Sequence, residues 1–130
     1  MELIEIISKA DLAERQQISR KNIKENLQTL SSTEEQLDYQ RNVPHVNIID
    51  ELVCGWFDDT YWPDDKIFRS GFSEEELKAM SEFSQIFEAV LASVQNEVPQ
   101  IEAYVKAPEW ARLLQAAHIA LSVFQIRDDN

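Results

Sequence analysis

Residues 72–95 read FSEEELKAMSEFSQIFEAVLASVQ and carry the clearest helical periodicity in the chain. Leu77, Met80, Ser84, Phe87, Leu91 and Val94 recur at intervals of three and four, which lines them along one face of an α-helix. Phe83, Ile86 and Val90 widen that face, so this helix is expected to be central. Its start is marked locally. Ser73 is an N-cap candidate with Glu76 three residues on, a capping box, and Phe72 and Leu77 hold the positions of a hydrophobic staple. Glu74, Glu75 and Glu76 suit the positive end of the helix dipole.

Helical spacing continues on both sides. Pro108 fits the first position of a helix whose stripe is Trp110, Leu113, Leu114, Ala117, Leu121 and Phe124. A short piece from Pro99 holds Ile101, Tyr104 and Val105 and is ended by Pro108. Upstream, Pro44 is expected to open a helix with Val46, Ile49, Val53, Trp56 and Phe57 facing inward, where Gly55 either weakens the helix or allows close packing. Ile23, Leu27, Leu30 and Leu37 also fit a helical face. Ser31, Ser32 and Thr33 interrupt it, and Glu34, Glu35 and Gln36 each follow one of them by three residues, so a second helix is expected to be capped there. The segment MELIEII at residues 1–7 reads equally as a short strand or as a first helical turn. Residues 58–72 read as one long non-helical connection. The expectation is an all-α, single-domain helical bundle over residues 1–130, with about five to seven helices and one long acidic-aromatic loop.

The composition narrows the function classes. With 2 glycines and 4 prolines in 130 residues, the turns of a β-sandwich or barrel are missing. The net charge is −12, from 24 acids and 12 bases, which disfavours nonspecific nucleic-acid binding and docking to an anionic membrane, and favours basic partners. No apolar run approaches the ~20 residues of a membrane span. The N-terminus lacks the basic region of a signal peptide. One cysteine, Cys54, excludes an intrachain disulfide, so a cytoplasmic protein is expected.

The charge is unevenly spread. Residues 50–82 hold 10 acids and 3 bases, more than half the excess of the whole chain. The same segment holds WFDDTYWPDD at residues 56–65, where Trp56, Phe57, Tyr61 and Trp62 lie among four aspartates. Aspartates solvate a loop, whereas large rings lose water contact only when something covers them. Trp56 and Phe57 are expected inside, as core, and Tyr61 and Trp62 partly outside.

Catalytic signatures are absent. No glycine-rich phosphate loop, GxSxG or HExxH occurs. Two histidines cannot build a histidine-rich metal site; His45 is expected in an exposed first turn and His118 on a helix face. Cys54 lies in ELVCGWF and reads as a buried, inert thiol rather than a nucleophile. An EF-hand loop started at Asp58 or Asp59 would need a central glycine and a closing glutamate, but Pro63 or Asp64 and Arg69 or Ser70 stand there. No cofactor and no metal are expected. A looser divalent-cation site at Asp58, Asp59, Asp64 and Asp65 has no supporting spacing.

The hexapeptide Asp58-Asp59-Thr60-Tyr61-Trp62-Pro63 resembles the D-x-x-Y-Y-P segment of colicin nuclease immunity proteins. The resemblance covers six of 130 residues, and Trp62 departs from the family's second tyrosine. It implies that Asp58, Tyr61 and Trp62 contact a toxin, with Asp64 and Asp65 fitting loosely after the proline. In the colicin proteins an acidic SxEEE-type helix precedes this segment, whereas here Ser73-Glu74-Glu75-Glu76 follows it. In size and character the chain is similar to immunity proteins of contact-dependent growth-inhibition systems. The expectation is therefore an immunity protein, not an enzyme, that neutralises a basic toxin domain, expected to be a nuclease. Asp58, Asp59, Tyr61, Trp62, Asp64, Asp65, Glu74 and Glu75 are its candidate partner-binding residues. The alternatives are an acidic helical adaptor or regulatory protein serving another basic partner, an enzyme using paired carboxylates with a metal, and a surface charged for solubility alone.

Overall fold

The structure, a computed structural model, describes residues 8–93 and 101–128. The MELIEII segment, Val94 and Pro99 lie outside the described residues. The described residues form helices and turns: α1 (Lys9–Leu30), α2 (Thr33–Asn42), α3 (Ile48–Cys54) with a π-helical continuation (Gly55–Thr60), α4 (Lys66–Ser70), α5 (Glu74–Ser93), α6 (Ile101–Tyr104) and α7 (Pro108–Asp128). The all-α bundle expected from the periodicity is what the chain forms.

Short polar side chains set most helix starts. Ser8, Ser32 and Asn47 accept the amides of Asp11, Glu35 and Asp50 at 3.1–3.2 Å. Asp65 accepts that of Phe68 at 2.8 Å. Each bond satisfies an amide that a helix start otherwise leaves unpaired. The capping box at Ser73 is reciprocal: its hydroxyl accepts the Glu76 amide at 3.1 Å, and its own amide donates to Glu76 Oε1 at 2.8 Å. The third helix opens later than expected. Pro44 and His45 sit in an exposed turn, and Asn47 supplies the cap that proline cannot.

One apolar cluster runs through the bundle. Ile23, Leu27 and Leu30 of α1, Met80, Phe83, Phe87 and Val90 of α5, and Trp110, Leu113, Ala117, Leu121 and Phe124 of α7 are buried in it. Helix α7 packs chiefly on α5 and then on α1. The face of α5 is turned slightly from the expected one: Phe83 and Val90 are fully covered, whereas Leu77 and Leu91 are partly so.

Four buried polar side chains fix how the helices meet. Gln36 donates to the terminal carbonyls of α1, at Thr29 (2.9 Å) and Leu30 (3.2 Å), and accepts the Trp110 indole N–H at 2.9 Å. Gln40 donates to Val46 O at 2.7 Å and accepts the Ile48 amide at 3.3 Å. Two glutamines one turn apart on α2 thus tie together α1, α3 and α7. Ser84 accepts the Trp56 indole N–H at 2.9 Å and donates to Met80 O. Glu76, only 1 % exposed, takes a two-pronged contact from Arg20 at 2.8 and 3.0 Å. Arg20 also donates to Gly71 O at 3.1 Å and lies over the rings of Phe72 and Phe124. Planar, bidentate pairing of this kind is what allows a guanidinium to leave bulk water.

Candidate functional site

The acidic-aromatic segment is more ordered than a loop. Residues 58–72, expected to be non-helical, begin in the π-helical turn and include α4; the turn at 61–65 joins the two, and residues 71–72 turn the chain into α5. The Tyr61 amide closes a bond of i to i+5 type on Trp56 O at 2.9 Å, which widens the helix by one residue. The consequence is directional. Trp56 points into the core and Asp58 and Asp59 point out.

The rings divide by depth. Trp56 is fully buried, edge-on to Phe83 at 5.0 Å and stacked on Tyr61 at 5.2 Å. Phe57, expected inside, is only half-buried, tilted against Phe87 at 5.3 Å, because the widened turn swings it toward the rim. Tyr61 is half-buried, meeting Phe68 edge-on at 6.0 Å. Burial pushes its phenol above the ordinary value, and Asp64 adds to this, while the Ser84 and Ser81 hydroxyls and the Arg69 charge pull the other way. Trp62 is 52 % exposed, its indole N–H turned onto Asp59 O at 3.3 Å.

The bend is stitched to α1 at both ends. Asn26 donates to the Thr60 hydroxyl at 3.1 Å, and Gln16 donates to Ser70 Oγ and O at 3.1 and 3.2 Å. Arg69 donates to Pro63 O at 2.9 Å and braces the turn from within. The chain's two glycines mark the same contacts. A Cβ on Gly55 would meet Asn26 Oδ1 at 3.3 Å, and one on Gly71 would meet the Gln16 backbone at 3.3 Å. Gly55 therefore allows close packing, the second of the two roles open to it.

The eight candidate residues do not form one flat patch. Asp58, Asp59, Asp64, Asp65, Glu74 and Glu75 are all exposed, but they sit in three places: the π-helical turn, the turn before α4, and the start of α5. Asp65 is committed to capping α4. Two open clefts lie where the bend meets α1. One, of about 440 Å³, is walled by Trp62, Asp65, Ile67 and Phe68 from the bend and by Arg15, Ile18 and Ser19 from α1. The other, of about 340 Å³, takes Asp59 and Thr60 from the bend, Glu51 and Leu52 from α3, Tyr39 from α2, and Glu25, Asn26 and Thr29 from α1. Asp58, Tyr61, Asp64, Glu74 and Glu75 line neither.

Ile18 and Tyr39 carry no sequence motif, yet both are exposed, at 51 % and 41 %. The available signal was phase: Ile18 falls outside the face of Ile23, Leu27 and Leu30.

Cys54 is exposed, not buried, because the helix turns Trp56 inward and leaves Cys54 on the opposite side. Local desolvation and then the carboxylates of Asp58, Asp50 and Asp59 push its thiol above the ordinary range, so it is a poor nucleophile for an electrostatic reason. His45 and His118 are both exposed. Among the described residues, no group of three or more His, Cys, Asp or Glu is placed to hold a metal ion, and no helix is long and apolar enough to cross a membrane. The chain matches no protein-family model, no curated protein and no solved structure.

Proposed function

We propose that the chain is an immunity protein of the cytoplasm, which binds a basic toxin domain, expected to be a nuclease, and covers its phosphate-binding surface. The role is binding, not catalysis. One observation carries the reading: a half-exposed tryptophan, Trp62, stands among outward carboxylates on a bend held at both ends by α1. Such a bend loses little freedom on association, which is how a rigid binding surface gains affinity. Exposed Trp and Tyr rings are frequent anchors of interface energy, and clustered carboxylates speed encounter with a cationic partner. Asp58, Asp59 and Asp64 supply that charge, with Glu74 and Glu75 extending it.

The test is calorimetric titration of the chain with the basic toxin domain encoded immediately upstream of its gene, alongside an assay of the toxin's activity. Tyr61→Ala would disturb the stack on Trp56, so the informative variant is Asp58→Ala with Trp62→Ala, both exposed. Affinity is expected to fall about 100-fold or more, as for anchor residues at other interfaces, with the thermal unfolding curve unmoved. Unchanged affinity would place the interface elsewhere; a basic partner that is no toxin would make the chain an adaptor.

A further inference from the structure

The two clefts follow one another along a single side of α1. With 100° per residue, Arg15, Ile18, Ser19, Glu25, Asn26 and Thr29 fall within an arc of about 120° on α1, apart from the arc of buried Ile23, Leu27 and Leu30. The bend runs along that arc and supplies the facing wall of both clefts, Asp59 and Thr60 to one and Trp62 to the other. The centres of the two α1 stretches are separated by about 14 Å at 1.5 Å per residue.

The two clefts differ in chemistry. At one end Ile18 and Trp62, each about half exposed, stand beside Ile67 and Phe68. These are apolar walls that water covers poorly, and Arg15 and Asp65 at the edge offset each other in charge. At the other end Glu25, Glu51 and Asp59 come from three different elements, next to the exposed ring of Tyr39, and no cationic residue lines the space. Glu25 makes a loose, solvent-exposed contact with Lys21 at 3.8 Å. Carboxylates beside an aromatic face are a receptor for a guanidinium or ammonium group.

We infer that the two clefts act together as one groove and docking surface, and that its occupant is a cationic protein presenting an apolar side chain and a lysine or arginine about 14 Å apart. The inference rests on the binding role proposed above and specifies the partner's chemistry. It brings Ile18 of α1, Tyr39 of α2 and Glu51 of α3 into the interface. It also moves the carboxylates that line neither cleft, Asp58, Asp64, Glu74 and Glu75, to the outer rim, where they act on encounter.

The experiment titrates the full chain with a short peptide of lysines and arginines around a central leucine, and with the same peptide carrying serine instead. Backbone amide and indole N–H resonances are followed. The leucine peptide is expected to bind about fivefold more tightly, as partial burial of one leucine side chain provides, and to shift the Trp62 indole signal. Ile18→Ser should abolish the discrimination, and Glu51→Gln with Asp59→Asn should weaken both peptides alike. All three residues are exposed, so folding is not at stake. Equal affinity for the two peptides, discrimination that survives Ile18→Ser, or no saturable shift at either end overturns the inference. Its fate separates from that of the immunity reading. Peptide discrimination without toxin binding upholds the groove and removes the toxin, whereas toxin binding indifferent to Ile18→Ser removes the groove and keeps the toxin.

Discussion

The α5–α7 pair and the bend over residues 55–72 both carry large aromatic side chains, and they place them differently. Phe83, Phe87, Trp110 and Phe124 of the helix pair are covered completely. Along the bend, cover thins from Trp56, fully buried, through Tyr61, half-buried, to Trp62, half exposed. The helix pair is regular and holds its phenylalanines by area, with Trp110 tied besides to Gln36. The bend is irregular: Trp56 is tied to Ser84, and the backbone around the rings is fixed by Asn26 on Thr60 and Arg69 on Pro63 O. A helix face can bury everything on it, whereas a bend that must show one ring to the outside has to fix the others one at a time. The Arg20–Glu76 pair joins the two regions, since Glu76 starts α5 while Arg20 holds the carbonyl of Gly71 at the end of the bend.

That joint is where the comparison breaks most readily. Glu76→Ala removes the buried carboxylate that pairs with Arg20, together with half of the capping box. It should cost about 3–5 kcal/mol in urea-induced unfolding. Glu74→Ala, two residues away on the exposed side, should stay within about 0.5 kcal/mol.

The two buried tryptophans sharpen the contrast. Trp110→Phe leaves the buried carbonyl of Gln36 without its donor, and should cost about 2–3 kcal/mol. Trp56→Phe should cost about 1–2 kcal/mol, because the Ser84 hydroxyl keeps its own bond to Met80 O. Equal losses in denaturant titrations would mean that ring volume, not the polar partner, sets the cost.

The half-buried ring gives a pH signature. The folded chain favours the neutral phenol of Tyr61, so its contribution is present at neutral pH and is lost as the pH rises through the raised folded-state value. Stability should therefore fall in the alkaline range less steeply in Tyr61→Phe than in the parent. A late phase in the phenolate absorbance titration should vanish with that substitution. The smallest effect belongs to Trp62→Ala, which should change the unfolding free energy by no more than about 0.5 kcal/mol while removing the most solvent-exposed part of the fluorescence.

The helix pair was legible because its information is local. The stripe from Leu77 to Phe87, the Ser73 box and Pro108 at the head of α7 all act within a few residues. What holds the helices together was not legible. Gln36 and Trp110 lie 74 residues apart and Arg20 and Glu76 lie 56 apart, and glutamine or glutamate on a polar helix looks like any surface residue. Two aspartate pairs, Asp58–Asp59 and Asp64–Asp65, suggested a loop, and the i to i+5 bond at Trp56 converts the first of them into helix. Of the site, the exposure of Trp62 was legible from its neighbours. The α1 side of the groove was not, since Ile18 acquires meaning only when the bend is laid beside it.

The bonds that Asn26, Gln16 and Arg20 of α1 make to Thr60, Ser70 and Gly71 O fasten the bend without using Asp58, Asp59, Asp64 or the side chain of Trp62. Shape and lettering are thereby separated. The outward positions can be rewritten one after another to suit a changing counterpart while the scaffold beneath keeps its form, so recognition in this molecule can drift without each step having to be rescued by the fold.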